Sequence, residues 1–178
     1  ELLVGGMNKV FEIGKRFRNE GIDTSHNPEF TMLESNEAYA DAKSQREFIQ
    51  KLFRFVVEGV FGKLQFEYQG QSINLEQDFK IMPYPEVTDE VYKKEIRPTL
   101  IQPTFLIDYP VSANPFAKRK EDNPELIDRF QLVMGGLELV NAFSEVNNPI
   151  DQKERFSEED KKGKAGEKEI SPSLFSEI

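Results

Sequence analysis

The chain has 178 residues, 32 acidic against 23 basic side chains for a formal charge of −9, and no cysteine. It is long enough for one domain with a substantial core, offers no disulfide or zinc–thiolate chemistry, and holds no apolar run approaching the roughly 18–20 residues of a membrane span. The acidic balance argues against broad nonspecific nucleic-acid binding, which rests on cationic neutralisation of phosphates, and the lack of thiols suits a reducing cytoplasm, the expected location.

Lys9 to Phe17 alternates in character and is expected to form the first strand of a hairpin, with Glu29 to Glu34 as its return. Between them runs a long polar loop with an arginine, spaced carboxylates and the chain's only histidine. A loop of this length inside a compact domain is usually functional or disordered, and groups that bind phosphate and base favour function. Glu37 to Phe61 reads as one long helix, because Phe48, Ile49, Leu52, Phe53, Phe55, Val56, Val57 and Val60 make a wide apolar face at helical spacing. Gly62 is its expected stop. Leu64 to Leu75 reads as a small hairpin about Gln69-Gly70-Gln71, and Asp78 to Val87, with two prolines, as irregular chain.

Thr88 to Ile96 is expected to be a short helix ended by Pro98, and Thr99 to Asp108 a buried strand. Pro110 to Pro124 is a polar loop carrying Lys118-Arg119-Lys120, a basic run that either contacts RNA or pyrophosphate or is simply solvated. Arg129 to Met134 and Leu137 to Ser144 pair about Gly135-Gly136, and Pro149 to Glu159 is a charged helix with Pro149 at or just before its first turn. Hairpins interleaved with helices, without βαβ alternation, predict an α+β fold: an antiparallel sheet flanked by helices. Residues 1–160 are expected to form the core and 161–178 a charged, flexible tail.

Three ordered blocks carry a family resemblance. The first is FRNEGIDTSHNPEFTMLE, Phe17 to Glu34. The second is Leu100-Ile101-Gln102-Pro103-Thr104-Phe105 with Tyr109-Pro110 and Pro115-Phe116-Ala117-Lys118-Arg119. The third is Asp128-Arg129-Phe130-Gln131 through Gly135-Gly136-Leu137-Glu138-Leu139-Val140-Asn141-Ala142-Phe143-Ser144-Glu145, followed by Asp151-Gln152-Lys153-Glu154-Arg155-Phe156. Together they resemble the catalytic core of the class II aminoacyl-tRNA synthetases in the form used by the lysyl enzymes, the first block being similar to motif 2. The resemblance implies an antiparallel sheet flanked by helices and an activity: joining lysine to the α-phosphate of ATP, then passing it to tRNA(Lys).

Such a transition state concentrates negative charge, so cations and positioning matter more than a covalent nucleophile. By resemblance, Arg18 contacts the α-phosphate and the substrate carboxylate, a task suited to a guanidinium that holds two oxygens at once. The same resemblance implies that Glu20, His26, Asn27, Phe30 and Met32 hold the nucleotide, with Phe30 under the adenine. Glu34 resembles the carboxylate that takes the substrate's α-amino group. Glu145 resembles the one facing the lysine ε-ammonium, with Asn141 and Phe143 beside it. Glu138 and the residue at position 131 resemble magnesium ligands, and Mg²⁺ is the implied cofactor.

The pattern departs from the family in four places. Ser35 and Asn36 stand where the lysyl enzymes carry an aromatic or leucine and then a tyrosine, so Asn36 faces the substrate with a shorter side chain. Gln131 stands where many members have a second metal-binding glutamate, and offers a carbonyl oxygen without charge. The stretch from Asp78 to Thr99 is shorter than the family's, which usually inserts a small helical region there. The anticodon-binding barrel, the motif 1 through which the family forms homodimers, and the glycine-rich motif 3 find no counterpart, which describes a core fragment. Two other functions stay open on the sequence alone: a lysyl-ligase paralogue that modifies a protein such as an elongation factor, and a non-catalytic synthetase-like binding module.

Overall fold

The computed structural model describes residues 1–19, 22 and 26–164, with side chains as far as 161. Contacts divide the chain into two units, Glu1–Ala40 and Asp41–Ile178. The first holds one antiparallel hairpin of β1 (Lys9–Phe17) and β2 (Glu29–Glu37). Its return strand runs three residues beyond the expected Glu34, and a turn with Tyr39 at φ 62° follows.

The second unit opens with α1 (Ala42–Phe61). It starts later than expected because β2 claims Glu37, and because Asp41 and Ser44 form a reciprocal capping box. The Asp41 carboxylate accepts the Ser44 N–H at 2.7 Å, and Ser44 Oγ accepts the Asp41 N–H at 3.1 Å. Gly62, at φ 67°, ends it as anticipated. The small hairpin of β3 (Gln65–Tyr68) and β4 (Gln71–Asn74) forms as its alternation predicts.

Residues expected to be irregular contain β5 (Lys80–Pro83), which pairs in parallel with β6 (Thr104–Ile107). Pro83 is compatible with a strand because β5 lies at the sheet edge. The helix expected over Thr88–Ile96 is a single turn, α2 (Asp89–Val91), capped by Thr88 and continued by a π turn at Tyr92–Ile96 and a 3-10 turn at Arg97–Thr99. The polar loop that follows carries a two-residue ladder between β7 (Tyr109–Pro110) and β8 (Leu126–Ile127).

β9 (Arg129–Met134) and β10 (Leu137–Phe143) complete a four-stranded sheet of order β10-β9-β6-β5, antiparallel except for its β5/β6 edge pair. The β9–β10 turn needs glycine: Gly135 and Gly136 sit at φ 61° and 75°, and a Cβ at Gly135 would lie 3.0 Å from the Tyr68 ring. α3 (Pro149–Lys164) takes in the first four residues of the tail expected from Lys161, and the remainder of that tail lies outside the described residues.

The two faces of the sheet are packed differently. Phe105, Phe130, Leu132 and Met134 lie under Ile49 and Val57 of α1 and against Ile73 and Leu75. The opposite face packs Leu106 and Val133 with Tyr92, Tyr109, Ala117 and Ile127. This second face carries the sheet's candidate functional residues. The α+β architecture is therefore as read from the sequence. Among the described residues, no helix is long and apolar enough to cross a membrane.

Candidate functional site

The candidates fall into two sets, one in each unit. In the hairpin, strict cross-strand pairing from Lys9↔Glu37 to Phe17↔Glu29 sets side-chain direction, since successive residues point to opposite faces. Phe30, Met32, Glu34 and Asn36 therefore share one face with Val10, Glu12, Gly14 and Arg16. Phe30 and Met32 are half-buried, while Glu34 and Asn36 are exposed. Arg18 stands just past β1, where its N–H donates to the Pro28 carbonyl at 2.9 Å. Its guanidinium carbon lies 5.4 Å from the centroid of the Phe30 ring, within cation–π range. The hairpin thus brings Arg18 and Phe30 together. His26 and Asn27 lie exposed on the loop, and Glu20 lies outside the described residues.

The sequence reading missed Arg16. Glu12 and Glu34 face each other across the strands, a like-charge pairing that destabilises a sheet. Arg16 lies between them, with Nη2 donating to Glu12 at 2.8 Å and to Glu34 at 3.2 Å. The bond to Glu12, then that to Glu34, raises the Arg16 pKa. An ammonium group arriving at Glu34 would meet a carboxylate that already has a cation.

In the sheet, Glu138 pairs with Val133 and Asn141 with Gln131, yet three positions separate the first two and two separate the second. Leu139 is the extra residue of a β-bulge. Without it, alternation would send Glu138 and Asn141 to opposite faces. With it, Glu138, Asn141 and Phe143 join Arg129, Gln131 and Val133 on one face.

Glu138 keeps an exposed position. The atoms crowded about its carboxyl withhold hydration and raise its pKa, while the charges of Arg129, Arg97 and Lys93 pull it back. Gln131, only 6% exposed, has its carbonyl oxygen taken by the buried Tyr109, whose hydroxyl donates to it at 2.6 Å. Asn141 Oδ1 accepts from Arg129 Nε at 3.0 Å. Phe143 packs half-buried beside the Tyr92–Tyr109 cluster. Desolvation pushes the Tyr92 hydroxyl up to about 12, and no partner for it occurs among the described residues.

Glu145 follows the strand. Its backbone is pinned by a bridge to Ala117, and desolvation raises its carboxyl pKa. The neighbouring Ser144 donates through its hydroxyl to Asp128, whose carboxylate also accepts the Ala42 N–H at the start of α1 at 3.2 Å. The end of β10 is thereby tied to a helix N-terminus.

The basic run is not an open cationic surface. Lys118 pairs with Glu121 at 3.1 Å, Lys120 with Asp108, and Arg119 donates to Asp151 at 3.0 Å and to the Pro124 carbonyl. Burial would raise the Asp151 pKa, but the hydrogen bonds from Arg155 and Arg119 outweigh it and hold the carboxyl below its usual range. The sequence left this run as either a contact for RNA or pyrophosphate or a solvated stretch; its geometry is that of a third kind, a self-neutralised structural clasp.

Among the described residues, no three histidine or carboxylate side chains gather as a metal cage. Mg²⁺ needs none: it is held by one or two carboxylates with waters and phosphate oxygens. Glu138 suits that chemistry. Gln131 does so poorly, with its oxygen buried and engaged.

The family profile described as tRNA synthetases class II (D, K and N) matches residues 1–176. The chain is 43% identical over 193 residues to the lysine–tRNA ligase of Carboxydothermus hydrogenoformans, covering 87% of this chain and 40% of that protein. It is 40% identical over 208 residues to the lysine–tRNA ligase of Pelotomaculum thermopropionicum, and 42% over 206 residues to that of Thermoanaerobacter pseudethanolicus. Each of these alignments covers 94% of this chain and 41% of the relative. The chain thus spans about two fifths of the length of the curated relatives it matches. The aligned stretches also exceed its own 178 residues, so the relatives hold residues within the matched span that it lacks.

Proposed function

The chain belongs to the class II tRNA synthetases of the D, K and N group, and from that premise we propose that it is the lysine-activating core of a lysine–tRNA ligase. The proposed reaction joins the lysine carboxylate to the α-phosphate of ATP, expels pyrophosphate, and passes the lysyl group to tRNA(Lys). The relatives reported above are all named lysine–tRNA ligases, which is why a tRNA acceptor is preferred to a protein one. The family's homodimer and the cytoplasm complete the reading.

The observation that carries it is the bulge at Leu139, which gathers Glu138, Asn141 and Phe143 on a single face. A bulge costs a ladder bond and is kept where it re-aims a side chain. Arg18 is the cation that meets the charge building on the α-phosphate, as fixed donors aimed at developing charge do most of the work in such transfers. Phe30 and Met32 supply the apolar wall for the adenine, with His26, Asn27 and Glu20 at its polar edge. Glu34 takes the α-ammonium in exchange for Arg16. Glu145, its pKa raised by desolvation, gains a counter-ion when it meets the ε-ammonium. Asn36 leaves the pocket wall open where a ring would close it. Glu138 would hold Mg²⁺, which when bound offsets charge on the phosphate oxygens.

The test is ATP–pyrophosphate exchange on the purified chain, with the twenty amino acids supplied singly. Lysine-dependent exchange that Arg18→Ala abolishes is the expected result. Exchange unchanged in Arg18→Ala would overturn the role of Arg18, and exchange with another amino acid would make Ser35 and Asn36 the source of a changed specificity.

A further inference from the structure

We propose that Arg129 is a positioning residue: it turns the Asn141 amide so that Asn141 meets the substrate with its N–H groups rather than its carbonyl. This rests on the reading of Asn141 as a substrate-binding residue. An arginine Nε is a donor and never an acceptor. The Asn141 atom 3.0 Å from it is therefore the carbonyl oxygen, and the two N–H bonds are the end left for a ligand. An amide held this way selects an acceptor, such as a carboxylate, carbonyl or phosphate oxygen, and turns away an ammonium group. On an unrestrained asparagine either end would serve.

Arg129 is fit for the task because it is itself held from three directions. Its Nη1 donates to the Ala113 carbonyl at 3.1 Å, its Nε to Asn141, and its guanidinium carbon lies 4.5 Å from the centroid of the Tyr109 ring. Pairing puts Arg129 opposite Phe143 and Gln131 opposite Asn141, so Arg129 and Asn141 are diagonal neighbours on the candidate face. The same guanidinium is the leading positive influence on Glu138. One rigid side chain therefore orients the donor and tempers the carboxylate.

The test is a double-mutant cycle read by calorimetric titration with lysyl-sulfamoyl adenosine, a non-hydrolysable mimic of the adenylate. The variants are Asn141→Ala, Arg129→Ala, Arg129→Lys and the pairs Arg129→Ala/Asn141→Ala and Arg129→Lys/Asn141→Ala. Loss of one oriented hydrogen bond should weaken binding about tenfold in Asn141→Ala and in Arg129→Ala. Arg129→Lys keeps the stem and the charge but not the planar fork, and should weaken binding as Arg129→Ala does. Each pair should bind no worse than Asn141→Ala, because the two residues act as one.

If Arg129→Ala does not hold the parent's circular dichroism spectrum, the lysine arm of the cycle decides. Arg129 variants that bind like the parent while Asn141→Ala does not, or losses that multiply to about a hundredfold, would overturn the proposal and leave the reading of Asn141 intact. An Asn141→Ala variant that binds like the parent would overturn that reading and the proposal with it, as would a parent chain that does not bind the mimic.

Discussion

Replacing Tyr109 by phenylalanine removes one oxygen atom from the middle of the candidate face. Tyr109 is 2% exposed and Gln131 6%, and the bond between them, at 2.6 Å, is a short and well-made one. Deleting the donor leaves the glutamine carbonyl buried with its partner gone. Such orphaning costs about 1–3 kcal/mol, well above the net worth of an ordinary hydrogen bond. For a domain of 150–250 residues each kcal/mol lowers the melting midpoint by roughly 2–4 °C, so Tyr109→Phe should melt roughly 2–12 °C below the parent. The ring is kept, so its packing on Tyr84, 4.4 Å between centroids, and the Arg129 contact contribute nothing to the difference. Gln131→Met orphans the hydroxyl instead and should lose a similar amount. The double variant, in which neither polar group survives, should recover most of the loss, since removing both partners at once is nearly neutral. Thermal unfolding followed by circular dichroism measures all three. A single phenylalanine variant as stable as the parent, or a double variant that loses the sum of the singles, would refute the account of Gln131 as a satisfied core residue and return it to the candidate metal ligands.

Two further outcomes test the remaining electrostatics. Asp151→Asn removes the carboxylate that holds Arg155, whose side chain is only 4% exposed. An uncompensated buried guanidinium costs about 3–5 kcal/mol, and a midpoint within a degree of the parent's would contradict the clasp. Glu138→Gln should do the reverse at neutral pH. The atoms crowded about the Glu138 carboxyl withhold hydration and raise its folded-state pKa above its ordinary 4.5, even though the residue is exposed. The unfolded chain ionises more readily, so stability falls as pH rises through that range. The variant should therefore melt above the parent at pH 7, with the gap closing below pH 4.5, while its affinity for Mg²⁺ in calorimetry with ATP present is lost. A lower midpoint at pH 7 would refute the sign.

What could be read from the sequence, and what could not, divides along a physical line. β1, β3, β4, β9 and the apolar face of α1 follow from spacing, because alternation and helical periodicity are local properties of the chain. β5 was hidden by Pro83, which is excluded from central strands but tolerated at an edge, and edge position is a property of the whole sheet. The bulge at Leu139 was hidden for a related reason. One extra residue in a strand leaves no trace in composition, and a count along β10 assigns Glu138 and Asn141 to opposite faces.

Partner choice was the least legible of all. Gln131 reads as a weakened ligand until Tyr109, 22 positions away, is found on its oxygen. Lys118-Arg119-Lys120 reads as either a contact for RNA or pyrophosphate or a solvated run until Glu121, Asp151 and Asp108 are found opposite it. Glu34 reads as a carboxylate awaiting an ammonium until Arg16 is found across the strand. In each case the residue type announced a chemical capacity, and the fold decided whether that capacity was spent inside the protein or kept for a ligand. Among the described residues, Glu138 and the N–H end of Asn141 are the groups on the sheet face still available to one. That is why the reading of this face as a site for phosphate and carboxylate oxygens depends less on the residues to which the motif gives roles than on Arg129, to which the sequence reading assigned none.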